Sequence, residues 1–280
     1  MKFTKMIALL TFVSAPLFAG IYYQADSKTT SNDRRSQDLN TRVEAWIDGE
    51  NGKILFLDSD NPMASTGTYV VTTDGGKTMY LVNPKDKTYM EWDINQMIML
   101  AGSMLEAMKG FMSIEFDNPE VEQLESGKGE TIQGHATTHY KHKTAYGISI
   151  KVMGMKRYQT TETIQDTWVT KDLNDMALGM WLRKEPPSSG SSELDKLISN
   201  EMEKVKGFPL KSKSVSTVKQ WNKKRTKVKR ETTTTTDMVV TQMRNQPIPA
   251  STYEIPSDYT KTSMPGADGG NPLGDIFKRN

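Results

Sequence analysis

All three histidines of the chain fall within one short segment, HATTHYKH, as His135, His139 and His142. On a helix, positions i, i+4 and i+7 share a face and would make half of a zinc site. This segment reads as a strand instead: Gly134 breaks the chain before it, and Thr137, Thr138 and Tyr140 favour a pleated sheet. At ~3.3 Å per residue the first two histidines stand ~13 Å apart, too far for one coordination sphere, and His142 points to the opposite face. They are expected as solvated strand histidines, with no metal and no cofactor. A second grouping is basic. Between Lys204 and Arg230 there are eleven Lys/Arg and no Asp or Glu. Lys211, Lys213, Arg225, Lys227 and Lys229 either contact anionic lipid head groups, a membrane surface or an acidic envelope partner, or form a solvated strand face whose charges discourage edge pairing. The third is a set of methionines. Met97, Leu100, Met104, Leu105 and Met108 recur at three- and four-residue steps, with Met176 and Met180 further on. Methionine is flexible and polarizable, so such a stripe either lines a groove for a hydrophobic ligand or fills an ordinary core.

No nucleophile–base signature accompanies them: G-x-S-x-G, H-E-x-x-H, P-loop and G-x-G-x-x-G patterns are all absent from the sequence. The carboxylates Glu115, Asp117, Glu120, Glu122 and Glu125 form a surface-like run. A non-enzymatic protein is expected.

The elements that must position these residues are mostly strands. TRVEAWIDG, KILFLDS, TYVVTTDGG, KTMYLVNP and KTYMEWD follow one another between residues 41 and 93, separated by Gly, Asn, Asp and Pro clusters. Those separators supply turn conformations and the β-branched and aromatic residues suit a sheet, so a hairpin ladder is predicted. In TMYLVNP, Met79 and Leu81 face one way and Tyr80 and Val82 the other. The Met-rich segment 94–110 predicts a helix, closed by Gly110. Strands follow at SIEFD, HATTHYK, GISIKVMG and RYQTTETIQDTWVT, then helical patterning over 172–206, interrupted by the loop KEPPSSGSS and strongest at SELDKLISNEMEKV (192–205). Three strands close the domain, at 210–221, at 226–243 with its run Thr232–Thr236 read as long and exposed, and at 251–256.

The chain has 280 residues, 36% hydrophobic and 25% charged, with a net charge of +2. That excludes a collagen-like or wholly disordered chain and gives no global excess for nucleic acid. No cysteine is present, which removes disulfides and thiolate chemistry together. Residues 1–19 read as a secretory signal peptide: Lys2 and Lys5 precede the apolar Met6–Val13, and Ala19 is the expected cut. The protein is therefore expected to be periplasmic or secreted. The domain plan is a signal peptide (1–19), a flexible lead-in (20–40), a single β domain (41–260) and a disordered tail (261–280).

Several of these segments carry a resemblance. GGKTMYLVNPKDKTYMEWD (75–93), GHATTHYK (134–141), DTWVTKDL (166–173) and PIPASTYEIPSDYT (247–260) resemble an uncharacterised bacterial exported family, domain of unknown function 4412 (DUF4412), related in fold to the outer-membrane lipoprotein carrier (LolA-like) proteins. The resemblance implies a mainly β (α+β) fold: a curved antiparallel sheet forming an incomplete barrel, with two or three helices covering its concave face. It implies a periplasmic binding protein that carries or senses a lipid or other hydrophobic ligand between sheet and helices. The alternative is a structural or sensory interaction module at the cell envelope with a packed interior. The family offers no catalytic residues to carry over.

Overall fold

The structure, a computed structural model, describes residues 20–61, 64–93, 112–152, 155–173, 195–196, 199–200 and 207–262. The strands are β1 (Gly20–Ser31), β2 (Leu39–Asp48), β3 (Asn51–Ser59), β4 (Tyr69–Thr72), β5 (Thr78–Asn83), β6 (Thr88–Asp93), β7 (Met112–Lys128), β8 (Thr138–Val152), β9 (Met155–Thr170), β10 (Phe208–Trp221), β11 (Val228–Gln246) and β12 (Thr260–Thr262). They form one open sheet in the order β12-β6-β5-β4-β3-β2-β1-β11-β10-β9-β8-β7. Every pairing is antiparallel except β12 with β6. Two meanders, β1–β6 and β7–β11, are thus joined along β1 and β11, from Gly20 opposite Gln246 to Ser31 opposite Thr234. The outer edge of the second meander is β7. Pro119, two register breaks and the carboxylates Glu115, Glu120, Glu122 and Glu125 lie along it, the features that keep a long edge strand from pairing with another chain.

Residues 20–31 are not a flexible lead-in. They are the strand at the seam of the sheet, paired with β2 on one side and β11 on the other. Their polar look misleads because alternation puts Ile21, Tyr23 and Ala25 on one face, where Val43, Ala45 and Ile47 of β2 stand directly opposite. The Thr run is likewise interior to the sheet. Thr232–Thr236 lies between β1 and β10, and hydroxyls meet across the strands, Thr29 with Thr236 at 3.0 Å and Thr217 with Thr233 at 3.3 Å. The expected closing strand 251–256 is replaced by a 3-10 turn at Ala250–Tyr253.

The expected α+β class, with helices covering the concave face, is corrected to an open β-sheet. No helical layer is among the described elements. Most of 94–110 and 172–206 lies outside the described residues; within them Asp172 and Leu173 form a turn, while Asp195, Lys196, Ser199 and Asn200 are helical. The physical reason is that connections do the sealing where the core is described. Ile132 from the β7–β8 connection and Leu173, just after β9, pack with Phe208 and Leu210 onto Ile21, Tyr23, Ala45, Ile47 and Val240. On the other face, the segment after β11 lays Ile248, Tyr253, Ile255 and Tyr259 over Tyr69, Val71 and Val82.

Candidate functional site

Alternation fixes which side chains share the core face beyond the core itself. From Ala45 the register runs to Ile54, then Val70, Leu81 and Met90, one residue per strand from β3 to β6. Each of these four is only half-buried. The same face of the second meander carries Phe116 opposite Ile148 and Ile114 opposite Ile150, with the Tyr146 ring 6.3 Å from that of Phe116. These too are half-buried. Between the two apolar sets the face is hydroxyl-lined, with Ser214, Ser216, Thr234 and Thr236 paired across β10 and β11. The arrangement is two apolar plates on one sheet face, neither buried as deeply as the core beside it.

Two hollows among the described residues are of another kind. One of about 430 Å³ is lined by Asp26, Arg42, Asp58, Lys211 and Asp237 among others, and within it Arg42 Nε lies 2.9 Å from Asp26 Oδ1. A second of about 440 Å³ adjoins it at Lys211 and Val239. Both are rimmed by charged side chains, with Met238, Val239 and Val240 set among them.

Each expected site residue has a definite place. Met97, Leu100, Met104, Leu105, Met108, Met176 and Met180 lie outside the described residues. The five cations stand in two groups. Lys211 bonds Glu130 at 2.6 Å and lies over the Trp168 ring, 4.7 Å from its centroid. Gly129 makes room there, since a Cβ would come within 2.9 Å of Trp168 Cδ1. Lys213 is exposed one step along, opposite Asp166 and Asp237. Arg225, Lys227 and Lys229 belong to the β10–β11 turn and the start of β11, ~26 Å further on at ~3.3 Å per residue.

The histidines are not simply solvated. His139 Nε2 bonds Asp166 Oδ1 at 2.8 Å and its ring stacks on Trp168 at 4.5 Å. His135 Nδ1 meets Asp172 Oδ2 at 3.1 Å, and His142 is buried. Because His135 and His139 meet separate carboxylates at separate positions, their two rings converge on no common point. Strand alternation was the available signal for the apolar plates, and Met79 with Leu81 displayed it. What no local pattern could reveal is that the two plates share one face of one sheet.

The family model described as Domain of unknown function (DUF4412) matches residues 36–259. A comparison with curated proteins finds no match. Among solved structures, a LolA superfamily protein from Nitrosomonas europaea aligns over 86% of this chain and 91% of its own, at 9% identity and a TM-score of 0.29.

Proposed function

This chain belongs to the DUF4412 family, and from that premise we propose that it is a non-enzymatic envelope protein that holds a lipid or other hydrophobic ligand against the apolar plates of its sheet. The observation that carries this reading is the half-buried state of Ile54, Val70, Leu81 and Met90 on one meander and Ile114, Phe116, Ile148 and Ile150 on the other, all on the core face. Half-buried apolar rows on both meanders leave apolar surface for an elongated ligand, whose burial is worth about 25 cal/mol per Å². The envelope location rests on Lys2, Lys5 and the apolar Met6–Val13. The exported chain should begin near Gly20 on N-terminal sequencing.

The test uses partial burial directly. At Leu81 and Ile148 a new carboxylate can stay solvated, so Leu81→Glu and Ile148→Glu should keep the fold. Each should weaken binding of a fluorescent fatty-acid probe by tenfold or more. At Ile47, 1% exposed, the same change buries an unpaired charge and should unfold the protein. Unchanged probe binding in folded Leu81→Glu and Ile148→Glu proteins, together with no lipid in extracts of the wild type, would refute the reading.

A further inference from the structure

Three hairpin turns point to the same end of the sheet, and all three are basic. In the order β2-β1-β11-β10-β9-β8, the β1–β2, β10–β11 and β8–β9 turns stand side by side over five strand spacings, ~24 Å at ~4.8 Å each. The second and third turns are level, since Trp221 is opposite both Val228 and Tyr158. The first is set back along β11, where Ser31 is opposite Thr234 and the Asn32 amide bonds Thr233 O. The first turn exposes Arg34 and Arg35, the second Lys223, Lys224 and Lys227, and the third Lys151, Lys156 and Arg157.

Two arginines link the turns. Arg230 pairs with Asp33, tying β11 to the β1–β2 turn. Arg225 lies over the Tyr158 ring at 3.7 Å, donates to Ser149 Oγ at 2.9 Å and meets Asp117 at 3.4 Å, tying the second turn to β9, β8 and β7. The acids Asp33 and Asp117 are therefore engaged. Glu231 pairs with Lys219 and Asp60 accepts from Asn40, while Asp38 and Glu115 are exposed. Lys156, Arg157, Lys223 and Lys224 make no ion pair within the described residues.

One apolar side chain stands among these cations. Met155 at the β8–β9 turn is 60% exposed, flanked by Lys156 and Arg157. Val152 is opposite it and Ile150 and Ile148 follow inward on the same face. We propose that this three-turn end is a docking surface for an anionic lipid bilayer, with the cations at the head groups and Met155 entering the head-group–acyl boundary. Lysines and arginines are attracted to an anionic leaflet within a Debye length, and an apolar side chain set among them suits the interface more than an acidic protein, which would bury Met155 against charge. Docking here stands independently of the ligand reading, and it gives the apolar plate of β7–β8 an outlet at the membrane.

The experiment is co-sedimentation of the mature chain with vesicles of phosphatidylcholine alone or containing about a third phosphatidylglycerol. Binding is expected only with phosphatidylglycerol, falling at least tenfold between 50 mM and 500 mM salt. The variant Lys156→Gln/Arg157→Gln/Lys223→Gln/Lys224→Gln should lose at least tenfold in affinity. It should keep the wild-type urea midpoint, because none of the four is ion-paired. Lys77→Gln/Lys171→Gln, two exposed lysines at the opposite end of their strands, should bind like wild type. Absence of binding to the anionic vesicles, equal binding to neutral ones, or equal loss in both variants would overturn the proposal. Fatty-acid binding plays no part in the readout, so failure here is separate from failure of the ligand reading.

Discussion

Phe208→Ala tests whether the core is closed by connections rather than by a helical layer. Phe208 is 2% exposed and opens β10, where its ring meets Tyr23 of β1 edge-on, centroids 5.5 Å apart at 69°. It packs in one cluster with Ile21, Ile47 and Leu210 and with Ile132 and Leu173 from the connections. Truncation removes the buried ring and leaves a cavity that strand backbones cannot collapse into, a cost of about 3–5 kcal/mol. Of this, about 0.5–1.5 kcal/mol is the ring–ring term. Against a total stability of ~5–15 kcal/mol the loss is a large fraction. In a domain of this size it should lower the melting temperature by about 10 °C. Urea unfolding is the assay: the midpoint should fall with an unchanged slope, since the surface exposed on unfolding is nearly the same. Phe208→Leu, closer in volume, should cost only about 1–1.5 kcal/mol. A loss under ~1 kcal/mol for Phe208→Ala would mean the ring is not sealed by Ile132 and Leu173, and the account of the core would fail.

Two further outcomes follow from local geometry. Asp74 closes the β4–β5 turn, accepting from Thr72 Oγ1 at 2.9 Å and from the Thr78 amide at 3.0 Å. Burial alone would raise its pKa, but these hydrogen bonds outweigh it and hold the carboxyl below the ordinary 3.8. Its contribution is then fully present above that value and lost as pH falls through the lower folded-state pKa. The melting-temperature gap between wild type and Asp74→Asn should be constant from pH 7 to 5 and close below pH 3.8; a gap unchanged down to pH 2.5 would refute this. Gly147 lets the Tyr158 ring lie against β8, since a Cβ would sit 2.6 Å from its hydroxyl and 3.1 Å from Asp117 Cβ. Gly147→Ala should therefore cost about 1–2 kcal/mol by thermal melt through overpacking, and adding Tyr158→Ala should make the alanine at 147 nearly neutral; a strictly additive pair would argue against it.

Much of the strand plan was legible in the chain. The separators from Gly49 to Asp86 mark turns because glycine and Asn/Asp adopt conformations other residues resist, and Gly49, Gly75 and Gly76 indeed carry positive φ. Period two assigned Met79 and Leu81 to one face and Tyr80 and Val82 to the other, and Val82 is fully buried on its side. These are local properties, decided by neighbours a few residues apart. The pairing of β1 with β11 is not local. Ile21 and Asn245 are opposite each other across most of the chain, and no spacing within GIYYQADSKTTS encodes that partner. A strand buried on both faces shows no clean alternation, so Tyr22 and Tyr23 together looked like unpatterned sequence. The same holds for the basic end. Arg34, Arg157 and Lys224 are scattered in three segments, and the run 204–230 drew attention to itself because its charges are contiguous. Only the antiparallel register, which brings alternate turns of a meander to one end, gathered them there and left Lys211 at the opposite end of its strand. Residue type and short spacing determined the strands and the turns; which charges and which apolar rows became neighbours was decided by long-range pairing, whose partners are set by the fit of whole faces.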